Sequence, residues 1–216
     1  MRHNFLATVA LSATICLAFQ GNLTADDFSS QAKPIFDGKT MQGWEGNEKW
    51  FRVQDGAVVA GTMKEKIPHN EFLCTEKEYG DFELRLEAKL TGEGKNAGVQ
   101  FRSKRIPNDT ELIGYQADIG SMKDQSIWGA LYDESRRRKF LAQNADVSGK
   151  ATKQGDWNEI RLVCKGPHIQ IFINGKKTVD YTEKEANIPQ TGVIGLQIHS
   201  GKPAECWYRN IRLRAL

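Results

Sequence analysis

The sequence predicts a mostly antiparallel all-β domain folded as a two-sheet sandwich, on three observations. Segments in which apolar and polar residues alternate recur along most of the chain, and a period of two marks a strand with one buried face. Turn dipeptides separate several of them, above all Asp55-Gly56 and Asn174-Gly175, the residues that a two-residue hairpin needs. No stretch shows a helical period. About a dozen strands in one domain must curl or divide into two packed sheets, one of them curved enough to offer a concave polar face.

From the amino terminus, residues 1–25 read as an export signal. Arg2 and His3 make a basic start, Phe5 to Phe19 is apolar, and acidic residues first appear at Asp26 and Asp27. The apolar run falls short of the roughly 20 residues a membrane helix needs. A cleaved signal is therefore expected, with no membrane span and a secreted or periplasmic product. Trp50 to Gln54 and Ala57 to Ala60 flank Asp55-Gly56 as a hairpin, and Glu71 to Thr75 is a short strand. Asp81 to Leu90 alternates strictly, with Leu84, Leu86, Ala88 and Leu90 on the core side and Glu83, Arg85, Glu87 and Lys89 on a solvated or ion-paired side. Trp157 to Lys165 and His168 to Ile173 repeat the pattern, Asn174-Gly175 turns the chain into Lys177 to Tyr181, and Gly192 to His199 and Glu205 to Leu213 close it. Ser103 to Leu112, Gly120 to Ile127 and Gln143 to Asp156 read as loops.

Without the signal about 190 residues remain, enough for a single domain with a full core. The formal net charge is +3 and no basic stripe is visible, so nucleic acid is not an expected partner. Cys74, Cys164 and Cys206 are an odd set without CxxC spacing, which argues against a disulfide framework or a zinc site. Cys164, in phase with Ile160 and Leu162, reads as a buried small apolar residue.

The stretch from Ala97 to Glu134 carries the functional signal. In AGVQFRS, Gln100 and Arg102 alternate with Val99 and Phe101; in GYQADIG, Gln116 and Asp118 alternate with Tyr115, Ala117 and Ile119. Far downstream, GLQIHSG places Gln197 and His199 around Ile198. The outer face of a solvated strand usually carries Lys, Thr and Glu. Planar amides beside Arg, Asp and His make instead one polar floor suited to a polyol.

Nine segments carry a family resemblance in order: FDGKTMQGW, YGDFELRLEAKL, NAGVQFRS, GYQADIG, WGALYDES, GDWNEIRLVCKG, HIQIFINGKKTVDYT, GVIGLQIHSG and RNIRL. Over residues 34–216 the chain resembles the 3-keto-disaccharide hydrolase family, also described as 3-keto-glucoside 1,2-lyase/hydratase. The resemblance implies a jelly-roll sandwich, concanavalin- or laminin-G-like, acting on a sugar whose C3 hydroxyl has been oxidised to a ketone. Net hydrolysis by elimination and hydration is expected, coupled to a sugar 3-oxidoreductase that makes the ketone.

Such chemistry needs a base near C2, an electrophile at the C3 oxygen and an acid for the leaving oxygen. Asp118, Glu134 and His199 are the candidate acid–base groups, and Arg102 offers a fork of donors for the oxygen. Gln100, Gln116 and Gln197 are candidates to hold hydroxyls, with Tyr132 and Trp128 as an aromatic wall. A divalent cation is an alternative electrophile for which Asp118, Glu134 and His199 are suitable donors; no nucleotide cofactor is expected. Each candidate has a plainer reading. Arg102 and Asp118 also read as a cross-strand ion pair, and Arg136, Arg137, Arg138 and Lys139 as a solvated loop. Trp44, Trp50, Trp157 and Trp207 read as core or edge packing. The alternative function is a non-catalytic carbohydrate-binding module on the same sandwich; a plain glycosidase with two carboxylates is the third.

Overall fold

The computed structural model describes residues 25–216, with side chains from residue 28; the export signal expected over residues 1–25 lies outside them apart from Ala25. The chain forms α1 (Ala25–Gln31), β1 (Lys33–Pro34), β2 (Trp44–Glu45), β3 (Phe51–Gln54), β4 (Ala57–Thr62), β5 (Glu71–Thr75), β6 (Phe82–Gly92) and β7 (Asn96–Arg105). It continues through β8 (Leu112–Met122), β9 (Gln125–Ser126), β10 (Leu131–Glu134), β11 (Phe140–Ala142), α2 (Ala145–Ala151), β12 (Asn158–Lys165), β13 (His168–Ile173), β14 (Lys176–Thr182), β15 (Val193–Ile198) and β16 (Ala204–Ala215). One antiparallel sheet runs β14-β13-β12-β6-β16-β4-β3 with β1 on β16; the other runs β11-β10-β8-β7-β15-β5-β2 with β9 on β8.

The alternation read from the sequence decides which faces meet. Leu84 and Leu86 of β6 pair with Leu162 and Ile160 of β12, which pair in turn with Ile171 and Ile173 of β13. All of these face the core, as do Val99, Phe101, Tyr115, Ala117, Ile119 and Ile198 of the second sheet. The hairpin turns fall at Asp55-Gly56 and Asn174-Gly175, with positive φ at all four residues, as this turn type requires. Cys74, Cys164 and Cys206 are buried and unbridged, and burial pushes each thiol up to about 12.

Two expectations are corrected. The segment expected as a loop from Gln143 to Asp156 contains α2, started by Asn144, whose Oδ1 accepts the Val147 N–H at 3.1 Å. Seven residues are too few for a helical period to show against the surrounding strands. On the side expected to be solvated or ion-paired, Glu83 is ion-paired: it is 1% exposed and accepts bonds from Arg85 (2.9 Å), Arg161 (2.6 Å) and Arg214 (2.6 Å). Arg136 and Arg137 are ordered by the buried Asp133, and Arg137 reaches on to Glu183 at 2.6 Å. Among the described residues no helix is long and apolar enough to cross a membrane.

Candidate active site

Gln116 and Asp118 project from the face of β8 that turns away from the core, opposite Tyr115, Ala117 and Ile119. Tyr132 of β10 pairs directly with Gln116, and Glu134 with Gly114, so Tyr132 and Glu134 stand on that same face. His199 follows β15, and its backbone N–H donates to the Asn96 carbonyl at 3.3 Å, holding this strand end against β7. Gln116, Asp118, Tyr132, Glu134 and His199 line one cleft of about 240 Å³. Asn70, Asn96, Glu111 and Arg138 complete its polar wall, and Met122, Ile127 and Phe140 its apolar rim. Tyr132 and Phe140 meet edge to face at 5.2 Å. Ligand pockets begin at roughly 300 Å³, and this cleft lies just below that size.

The floor depends on a residue without a side chain. Gly98 lies opposite Asp118 on one side and Gln197 on the other. A Cβ placed there would meet Gln116 Cδ at 2.5 Å and Cγ at 2.7 Å. The Gln116 side chain therefore lies over Gly98, and its Nε2 donates to Asp118 Oδ1 at 2.7 Å.

Burial is the main reason Asp118 holds its proton: the carboxyl is pushed up to about 8, helped by the charge of Glu134 and opposed by the Gln116 bond. Burial also raises Glu134, against the Ser135 backbone N–H and the charges of His199 and Arg138. Glu111 is raised by burial and by Glu134, with the Asn70 hydrogen bond opposing. At neutral pH the site thus pairs a protonated carboxylic acid with a second carboxyl group, the arrangement from which acid and base roles arise. His199 Nδ1 lies 2.7 Å from the Ser200 carbonyl oxygen. A carbonyl only accepts, so Nδ1 carries the hydrogen, and Nε2 is the basic nitrogen of the neutral ring.

Other expected residues lie elsewhere. Arg102 does not join the cleft. A register shift follows Phe101, Arg102 has φ +46°, and Ser103 takes the outward position, donating to Gln100 Oε1 at 2.6 Å. A bulge of this kind reverses the alternation. Arg102 instead binds Gly80 O (3.0 Å), Gly166 O (2.7 Å) and Asp81 Oδ1 (2.8 Å). The ion pair with Asp118 is therefore also absent. Trp128 precedes β10 and is packed into the core, so it is no wall of the cleft. Gln100 and Gln197 share the floor's face but are fully buried and do not line the cleft. Beyond Gln197, Phe72, Cys74 and Leu112 form a small apolar cluster with Val193 against it.

Asn70, Asn96, Glu111 and Arg138 escaped the sequence reading. Asn96 had a signal, since it continues the phase of Gln100 and Gly98 backwards along β7. Asn70, Glu111 and Arg138 come from connections with no period. Asn70 links its neighbours, donating to Glu111 Oε1 at 2.9 Å and accepting the Ser200 N–H at 2.9 Å. Among the described residues no three His, Cys, Asp or Glu side chains form a set that could hold a metal ion.

Residues 31–214 match the family model described as the 3-keto-alpha-glucoside-1,2-lyase-like domain. A candidate glycosyl hydrolase from Parabacteroides distasonis is 26% identical, with a TM-score of 0.63 over 86% of this chain and 100% of that one. A second from the same organism is 17% identical, with a TM-score of 0.64 over 90% and 98% of the two chains. A carbohydrate-binding module from Bacillus subtilis is 14% identical, with a TM-score of 0.60 over 80% and 96%. The last two likenesses concern the fold alone, a jelly-roll sandwich. No curated protein matches the chain.

Proposed function

Because the chain belongs to the 3-keto-alpha-glucoside-1,2-lyase-like family, we propose that it is an exported enzyme cleaving 3-keto-glycosides by elimination and hydration. The observation that carries this reading is the meeting of the proton-holding Asp118 with Glu134 and His199 around one cleft.

In this reading the C3 ketone acidifies the hydrogen on C2, and His199 Nε2 accepts it. The C–H electron pair passes to the C3 oxygen as an enolate, steadied by the Arg138 guanidinium, the role first sought for Arg102. As the ketone re-forms, a C1=C2 double bond appears, the C1–O bond breaks, and Asp118 gives its proton to the departing oxygen. Water then adds: its oxygen bonds to C1, Glu134 takes its proton, and C2 regains hydrogen from His199, whose Nε2 proton has meanwhile exchanged with solvent water. The proton on Glu134 restores the one Asp118 lost, so the sum is hydrolysis. Tyr132 and Phe140 offer an apolar wall for the ring. The ketone must come from an oxidoreductase acting at C3 of the glycoside.

A non-catalytic carbohydrate-binding module is the second reading, favoured by the likeness to the Bacillus module. Such a module has no use for a buried carboxylic acid beside a second carboxyl group. Incubation with 3-keto-trehalose, 3-keto-sophorose and their unoxidised parents, with products weighed by mass spectrometry, separates the two. Cleavage of a keto sugar alone supports the enzyme; binding of both forms without turnover supports the module.

A further inference from the structure

The fully buried polar atoms of the cleft that lack a partner are all acceptors. Asn96 Oδ1, Glu111 Oε2 and Gln116 Oε1 are buried and have no hydrogen-bond partner in the protein, and all three residues line the cleft. Gln116 is 2% exposed, and its amide is turned by the bond from its Nε2 to Asp118. Glu111 is fixed through its other oxygen by Asn70, which is itself tied to the Ser200 backbone. Buried acceptors left unpaired are costly, so a ligand here must arrive as a donor of several hydrogen bonds. Hydroxyl groups do this; a carboxylate, sulfate or phosphate cannot. The carboxyl groups agree: Glu111 and Glu134 share the cleft with the protonated Asp118, and among its described lining residues only Arg138 is a fixed cation.

We propose that Asn96, Glu111 and Gln116 form a hydroxyl-reading subsite that selects an uncharged, hydroxylated sugar ring over a uronate, with Glu111 as the specificity-determining residue. The proposal rests on the glycoside-cleaving reading for its substrate but not for its binding preference. A uronate keeps its ring hydroxyls but presents an acceptor where the neutral ring presents the C6 hydroxyl, so an oxygen of this set that faces C6 loses its donor and meets a like charge.

The test separates binding from chemistry. Methyl glucoside and methyl glucuronide, neither of them oxidised at C3, are titrated into the full chain, with binding followed by NMR. The corresponding 3-keto sugars are assayed for kcat/KM. The wild-type chain should favour the neutral ring about 10-fold or more in both experiments. Glu111→Gln keeps an acceptor for Asn70 and adds a donor, so it should weaken the glucoside and narrow or reverse the preference. Asn96→Ala should weaken the glucoside without improving the glucuronide. Equal binding of both rings by the wild type, binding of neither, or a preference untouched in Glu111→Gln overturns the subsite. Turnover failing while the binding preference holds overturns the enzymatic reading and leaves the subsite standing.

Discussion

Gln116 reaches Asp118 two residues along its own strand, donating Nε2 to Oδ1 across 2.7 Å. Alternate side chains on a strand stand about 7 Å apart, so the amide has to fold back along the sheet. It lies over Gly98 on the neighbouring strand, where a Cβ would stop it. Three residues on two strands thus fix the surroundings of one proton.

The proton on Asp118 gives the first prediction. If Asp118 is the acid, kcat/KM on a 3-keto-glycoside falls as pH rises through about 8. The Gln116 bond lowers the affinity of Asp118 for its proton, so Gln116→Leu should move this limb to higher pH, and Gly98→Ala, by displacing the amide, should do the same. The stability effect has a fixed sign. An acid whose folded pKa is raised above its unfolded value near 3.9 contributes stability that is full below pH 4 and lost as pH climbs towards 8. The Tm advantage of Asp118→Asn over the wild type should therefore widen between pH 4 and 8. A limb that ignores both floor mutations contradicts the assigned role.

Arg102 is a clamp between connections. Its side chain is 1% exposed, and Arg102→Met would strip partners from the Gly80 and Gly166 carbonyls and from Asp81. Urea unfolding should show a loss of about 3 kcal/mol, at the low end for a broken buried ion pair because Asp81 is partly exposed. Activity per folded molecule should stay near wild type. Full stability with abolished turnover would return Arg102 to the chemistry.

Leu86 and Ile171 face the core across the β6-β12-β13 pairing. Leu86→Ala or Ile171→Ala should each cost roughly 2–5 kcal/mol. Melts indistinguishable from wild type would show that these faces do not pack as described.

These positions also mark what could be read beforehand. Leu86, Ile171 and the Asn174-Gly175 turn were legible because strict alternation and a turn dipeptide are local. Gln116 and Asp118 were legible for the same reason. Arg102 was misplaced because a bulge leaves no mark in a parity count and flips each residue after it. Trp128 shares parity with Tyr132, but β10 begins only at Leu131, and parity has no meaning outside a strand. Glu111 and Arg138 reach the cleft from connections, where tertiary contact alone decides position.

The mechanism can be tested at one hydrogen. Elimination removes the hydrogen on C2, so a 3-keto-glycoside deuterated there should lose its label during cleavage in ordinary water. The unoxidised parent should be inert, because its C2 hydrogen is not acidified. Cleavage slows on deuteration if that transfer limits the rate. Asp118→Asn and His199→Ala should each lower kcat/KM by about 10²–10⁴-fold, the usual effect of losing one positioned acid or base. Circular dichroism should show both variants folded, since neither residue belongs to the core between the sheets. Direct displacement at C1 would instead leave C2 untouched and the label in the product. An active wild-type enzyme that keeps the deuterium does not work by elimination, whatever its family, and the two carboxyl groups would then act on C1 as in a plain glycosidase.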